Sequence, residues 1–394
     1  MTRPRVVIAG LGDSGLLTAI DLARHLDVVG ISAKPGLVSG QELGLRLTRP
    51  DVWVRDYRIW FDRYRRLDRV RTVHGTLTGL DLSERSVTVQ DADGFRSREP
   101  YDILVISTGV SNGFWRQPTL QSADEVDADL RSAHEMFAAA DSVMVVGGGA
   151  AAVSSAASVA ATWPEKQVDL YFPAERALPR HHGRVWGQVR HRLAGFGVAL
   201  HPGHRAVLPD GFAADEITHE PVHWSTGQPP ASAEVVLWAI GRVRPNTAWL
   251  PPELLDDDGF VRVTPELRVP GHPGVFAIGD AAATDPLRTS ARNRADRILA
   301  HNIRAEVRGR ALRSFRPPRR RWGSVLGPQH DGLLVFAPSG YAFRFPAWSV
   351  EPILRDLIVK RGIYRGVRRE SAAARRRARR ALRGSPPAPP GRDR

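Results

Sequence analysis

The chain has 394 residues, 42% of them apolar, with 36 glycines, 30 prolines and no cysteine. That length suits two or three domains, and the lack of cysteine excludes disulfides, thiolate metal sites and a redox-active dithiol. The net charge of +14 is concentrated in residues 360–394, which carry 13 Lys or Arg against Glu370 and Asp393, so the body is near balance and the charge says little about the fold.

Residues 5–9 (RVVIA) form a β-branched strand ending at Gly10, and apolar positions from Leu16 to Leu26 then recur as on a helix packed against a sheet. Residues 28–31 (VVGI) complete a βαβ unit. RSVTVQD (85–91) reads as one strand of a small hairpin sheet, and YDILVISTG (101–109) as a buried strand ending at Thr108-Gly109. A helix over about 123–140 leads into a second βαβ unit: strand SVMVV (142–146), turn GGGAAA (147–152), a helix to about Thr162, and strand VDLYF (168–172). EVVLWAIG (234–241) and GVFAIGD (274–280) are further strands ending in glycine, and residues 290–307 read as helix. The expected class is α/β: two Rossmann-like dinucleotide-binding domains, the second inserted in the first, plus a smaller C-terminal α+β segment. Residues 1–115 and 242–310 form the first domain, 116–241 the second, 311–369 the C-terminal segment and 370–394 a basic disordered tail. No run approaches the roughly 20 uncharged apolar residues that span a bilayer. The start at MTRPRVVIAG leaves no room for a secretory leader, so the expectation is a cytoplasmic protein.

Gly10-Leu11-Gly12-Asp13-Ser14-Gly15 lies between strand and helix. Gly10 permits a tight turn, Gly12 lets backbone N–H groups approach a pyrophosphate at the helix N-terminus, and Gly15 lets helix and strand pack closely. The acid expected about 20 residues on, which would grip a ribose, is replaced by Ser32 in GISAKPG. Gly147, Gly149, Ala150 and Ala152 repeat the pattern, and here the acid position falls on Phe172. Without a carboxylate to repel it, a 2′-phosphate is tolerated, and Arg176 or Arg180 is placed to pair with it. The alternative is that both arginines are solvated; the balance leans slightly to NADPH over NADH.

The strand ends STG (107–109), AIGRVRPNT (239–247) and GVFAIGD (274–280), in this order and spacing, resemble the two-dinucleotide-binding-domain flavoproteins of the pyridine nucleotide-disulfide oxidoreductase superfamily. The similarity is greatest to the branch of type II NADH dehydrogenases, apoptosis-inducing-factor-like proteins and ferroptosis suppressor protein, and it covers roughly residues 5–305. The resemblance implies FAD as cofactor, NAD(P)H as co-substrate, Thr108, Gly109, Gly241 and Gly279 as cofactor contacts, and Asp280 on the FAD ribityl chain. Three departures stand out. The CxxxxC of the disulfide branch is absent, Val153-Ser154 stands where a glutamate approaches the nicotinamide, and the stretch 289–303 lacks the glutamine found beside quinone.

In the C-terminal segment Trp348, Val350, Ile353, Leu354, Leu357 and Ile358 recur at near-helical spacing beside arginine clusters. Such a stripe lies on an anionic membrane surface or packs on the flavin domain. A basic tail without aromatics after Tyr364 argues against nucleic acid. The thirteen histidines show no ligand spacing, so no metal is expected, and no catalytic residue is assigned. The expected activity is an FAD-dependent NAD(P)H oxidoreductase delivering electrons to a small-molecule, quinone-like acceptor, with a homodimer left open. A reductase for a ferredoxin or rubredoxin, or a flavin-based redox sensor, are the alternatives.

Overall fold

Alternation of short β-branched strands with helices builds two five-stranded sheets in a computed structural model that describes residues 3–212, 216–285, 295–317, 319–320 and 323–370. In chain order the first unit contains β1 (Arg5–Ala9), α1 (Asp13–Leu22), β2 (Asp27–Ser32), β3 (Gly36–Val38), α2 (Leu43–Thr48), α3 (Pro50–Tyr57) and β4 (Arg58–Trp60). There follow β5 (Val70–His74), β6 (Thr76–Asp81), β7 (Ser86–Gln90), β8 (Arg96–Pro100), β9 (Ile103–Ile106) and β10 (Val110–Ser111). The second unit has α4 (Ala123–Ala139), β11 (Ser142–Val146), α5 (Ala150–Thr162), β12 (Gln167–Tyr171), α6 (Gly183–Gly195), β13 (Ala199–His201), β14 (Ile217–Thr218) and β15 (Val235–Trp238). The chain returns through β16 (Arg244–Pro245) to β17 (Val275–Ala277) and α7 (Ala295–Val307), then forms a hairpin sheet of β18 (Pro328–Gln329), β19 (Gly332–Phe336) and β20 (Ala342–Pro346).

The first sheet is parallel throughout, in the order β17-β9-β1-β2-β5, and the second runs β13-β12-β11-β15-β14 with only β14 antiparallel. Strand order reverses beside β1 and beside β11, and ligands of open α/β sheets bind at such switch points. The four-residue runs ILVI of β9 and VVLW of β15 are buried at every position, as parallel strands covered on both faces must be. The α/β reading with two Rossmann-like units holds.

α4, which opens with a Ser122/Glu125 capping box, leaves the second unit's sequence range to pack on α2 and α3. A buried ion pair between Arg58 of β4 and Asp127 of α4 fixes that contact. The expected helix over 290–307 is Ala295–Val307 among the described residues, and 290–294 lie outside them. The C-terminal stripe is not an ordinary helical face. Val350–Ile363 is a wide helix with hydrogen bonds spaced five residues apart. Val350, Leu354, Val359 and Ile363 turn toward the protein, whereas Trp348, Leu357 and Ile358 stay exposed. Of the basic tail, 371–394 lie outside the described residues.

Asp127→Ala strands the Arg58 guanidinium in the interior and should cost about 3–5 kcal/mol. A chemical-denaturation midpoint that falls with the slope unchanged would show it, and a loss below about 1 kcal/mol would contradict the pair's role.

Candidate functional site: a cleft joining two glycine loops

Both glycine loops open on one continuous cleft of about 1300 Å³. Gly10, Gly12, Ser14, Ser32, Thr108, Gly109, Gly279 and Asp280 line it from the first unit, and Gly149, Ala150, Arg176 and Gly241 from the second. Gly15, Gly147 and Ala152 stand behind the wall, where they make packing possible. A Cβ on Gly15 would sit 2.0 Å from the Gly10 carbonyl oxygen, and one on Gly147 2.2 Å from that of Ala239. A Cβ on Gly12 or Gly149 meets nothing within 4 Å, so these two glycines keep space clear rather than permit a contact. Each is the N-cap of its helix, α1 or α5, and neither helix has a side-chain cap. The positive end of each helix therefore faces the cleft, a ready anion site.

Around the first loop, Ser32 Oγ accepts the Lys34 backbone N–H at 3.1 Å, and among the described residues its hydroxyl donates to no other group. The Lys34 ammonium donates to the Thr119 carbonyl, and burial pushes it down to about 8. Asp280 does not stand alone: Arg116 binds its Oδ2 at 2.9 Å. Arg46 is 6% exposed, donates Nη1 to the Trp115 carbonyl at 2.7 Å, and is pulled down to about 10 by burial. Among the described residues its Nε, Trp115 Nε1 and Asn112 Oδ1 are buried with no hydrogen-bond partner, and all three residues line the cleft. Such orphaned donors and acceptors are costly unless a ligand satisfies them.

Around the second loop, Phe172 is buried against Trp186, so its ring serves the core and leaves no acid at the strand end. Residues 173–180 fold back over the loop, with Leu178 N–H on the Gly148 carbonyl at 2.7 Å, and bring Arg176 to the cleft wall. The two units meet at Asn246. Its Nδ2 donates to the Thr108 carbonyl at 3.0 Å, while Thr108 Oγ1 donates to the Asn246 carbonyl at 2.7 Å. Asn246 lay within the quoted RPNT motif, and Lys34 within GISAKPG, so both had a sequence signal. Arg46 and Arg116 had none, because their roles arise from packing alone.

Among the described residues no cluster of three metal-ligating side chains occurs, and no helix is long and apolar enough to cross a membrane. His181 is buried and its neighbour His182 half-buried.

The family model for pyridine nucleotide-disulphide oxidoreductases matches residues 4–302. The chain belongs to that family. Its members use FAD and NAD(P)H. The chain is 26% identical over 305 residues to Oxidoreductase ptaL of Pestalotiopsis fici, covering 74% of this chain and 77% of that protein. It is 24% identical over 320 residues to Ferroptosis suppressor protein 1 of Xenopus tropicalis, covering 79% and 83%. Among solved structures, a ferredoxin reductase from Rhodopseudomonas palustris has a similar fold, with a TM-score of 0.61, 21% identity and coverage of 84% and 81%.

The cleft fits the family's cofactor on its own chemistry. Gly12 leaves room for a diphosphate at the α1 N-terminus, and the orphaned atoms of Arg46, Trp115 and Asn112 supply unmet polar contacts. Gly12→Ala should fold normally yet lose bound flavin, because its Cβ meets only the open cleft, whereas Gly15→Ala should lower thermal stability directly. Flavin absorbance per protein and an unfolding curve on each variant separate the two effects; equal behaviour of both variants would refute the distinction.

Asp296, which lines the cleft, is pushed up to about 6 by burial and by neighbouring Asp21. A carboxyl whose folded value exceeds its unfolded one contributes stability that is complete below pH ~4 and lost as pH rises through about 6. Asp296→Asn should thus match the parent below pH ~4 and exceed it by about 2–3 kcal/mol above pH ~7. A pH series of unfolding free energies measures this, and equal stabilities at pH ~8 would contradict it.

Proposed function

We propose that the chain is an FAD-dependent NAD(P)H oxidoreductase whose acceptor is a small quinone-like compound. The observation that carries this reading is the single cleft into which two uncapped helix N-termini open, one from each unit. FAD, when bound, supplies the two-electron chemistry between nicotinamide and acceptor. The protein's part is to bind and orient. Gly12 and the α1 N-terminus receive the FAD diphosphate, with Arg46 and Lys34 as flanking cations and Ser32 Oγ as a hydroxyl partner for the ribose. Thr108, Gly109, Gly279 and the Arg116–Asp280 pair form the floor beside the second unit. Gly149 and the α5 N-terminus receive the NAD(P)H diphosphate, and the Thr108–Asn246 link fixes how the two ligands face each other.

Two finer features follow from the residues. No acid stands at Phe172 while Arg176 reaches the cleft, which favours a 2′-phosphate and hence NADPH. The chain holds no cysteine, so electrons pass to an external acceptor rather than through a protein dithiol. A quinone-like acceptor is supported by the apolar lining contributed by Leu333, Val335, Phe343 and Phe345 of the hairpin sheet.

The test is an absorbance spectrum of the purified protein, followed by anaerobic titration with NADPH and, separately, NADH. Bleaching of a flavin spectrum by either donor is expected; a bound flavin that neither donor reduces would overturn the oxidoreductase reading. Arg176→Ala should weaken NADPH roughly tenfold, as loss of one charge-assisted contact does, while leaving NADH unchanged. Equal effects on both nucleotides would remove Arg176 from the site.

A further inference from the structure

The start of α2 departs from ordinary helix chemistry. Helix N-caps favour Ser, Thr, Asp or Asn in an extended conformation, with the side chain capping the first turn. Here the N-cap is Glu42, its backbone is left-handed at φ 58° and ψ 52°, and its side chain makes no capping bond. That conformation is disfavoured for a residue with a Cβ and is free of that penalty for glycine. The local backbone therefore gives no reason for a glutamate, and strain of this kind persists where the surroundings impose it, above all at sites of function.

The surroundings of Glu42 supply that reason. It lines the cleft, half-buried. The segment before it is pinned to the first glycine loop: Ser39 Oγ donates to Asp13 Oδ2 at 3.0 Å, and Gln41 Nε2 donates to Asp13 Oδ1 at 3.4 Å. Two residues after it, Gly44 runs against α5, where a Cβ would collide with the Ser154 carbonyl and lie 2.6 Å from Ser158 Oγ. The carboxylate itself abuts Gly327 of the C-terminal segment, where a Cβ would overlap Oε2. Glu42 is thus held between the N-terminal halves of α1 and α5, where the two units and the C-terminal segment meet. Other acids of the cleft are engaged elsewhere. Asp280 pairs with Arg116, Asp129 accepts from Gln121 Nε2 at 2.6 Å, and Asp56 lies 3.0 Å from Arg355 Nε. Asp296 is buried beside Asp21.

Reduction of a carbonyl acceptor by NAD(P)H transfers a hydride equivalent, which carries both electrons, and takes one further proton from the medium. A placed acid that delivers this proton speeds the step by roughly a hundredfold or more. We propose that Glu42 is a catalytic acid whose carboxyl gives that proton to the acceptor oxygen. The O–H bond of Glu42 breaks, an O–H bond forms on the acceptor, and the carboxylate regains its proton from solvent through the cleft. The role rests on the oxidoreductase reading.

Two acceptors separate proton delivery from electron delivery: menadione, which takes up two electrons and two protons, and ferricyanide, which takes one electron and no proton. In the holoprotein, Glu42→Gln should lower kcat with menadione about a hundredfold, with flavin content, the KM for NAD(P)H and ferricyanide turnover as in the parent. Added formate should restore part of the menadione rate to Glu42→Gly. Independently of turnover, Glu42→Gly should melt about 2 °C above Glu42→Ala, because only glycine relieves the left-handed backbone. Slowing with both acceptors or with neither, in a parent that turns over, overturns Glu42 as the acid and leaves the oxidoreductase reading standing. A Gly variant that melts no higher than the Ala variant overturns the strained placement. A parent whose bound flavin neither donor bleaches overturns the oxidoreductase reading and this role together.

Discussion

The geometry of the whole cleft depends on two extended segments that pass each other between the units. β10 carries the chain out of the first unit and β16 carries it back, paired antiparallel at Val110–Pro245 and Ser111–Arg244. Asn246 then closes the junction: its amide N–H reaches the Gly109 carbonyl at 3.0 Å, and its Oδ1 accepts from Ser111 Oγ at 2.6 Å. Together with the reciprocal bonds to Thr108, this makes a compact set of hydrogen bonds whose backbone partners would otherwise be left unmet at a unit boundary. Because Thr108 and Gly109 end β9 and the return strand follows β15, the junction ties together the C-terminal edges of both sheets. That is why two loops more than a hundred residues apart open on a common space.

Within each loop, glycines divide into two kinds by what a side chain would meet. At Gly10, Gly15 and Gly147 the obstacle is protein backbone, so the requirement is set by how closely strand and helix approach. At Gly12 and Gly149 the obstacle is absent, and the requirement comes from whatever enters. The same logic applies to charge. A guanidinium buried like that of Arg46 is expensive without an anion or a full set of acceptors, and the chain provides Arg46 with a single carbonyl. Trp53's ring and the charge of Asp129 offset part of that cost, and among the described residues Arg46 Nε is left without an acceptor.

Much of this was readable in the sequence, and the limit has a physical cause. The glycine loops, the strand ends at Thr108 and Asp280, and the missing acids at Ser32 and Phe172 are short local patterns, and local patterns survive in one dimension. The class and the two-unit plan followed from them. The pairing of Arg116 with Asp280, the burial of Arg46 beneath Trp115 and the grip of Asp56 on Arg355 join residues separated by up to about three hundred positions. No spacing rule links such partners. The C-terminal stripe shows the difference well: a period near four was visible, but an ordinary helix was assumed, and the wider turn places Val359 and Ile363 inward where the simpler pattern had not looked.

The C-terminal segment also changes how the two units are able to move. Its hairpin is fastened to the second unit by Arg192, which grips Asp331 with two bonds at 2.7 and 3.2 Å, and by Val325, Leu326 and Phe336 in that unit's core. Its far end is fastened to the first unit, where Val367 pairs with Tyr64 and Arg368 binds Asp68. The two crossing strands are joined by the packing of Leu43 and Leu47 of α2 against Ala152, Val153 and Ala156 of α5. The C-terminal segment adds a further tether, anchored away from both. The wide helix lies between its two anchor points, so any opening of the cleft by rotation must stretch or unwind that helix. The segment that spans both units lies beyond residues 4–302, the part of the chain that the family model matches.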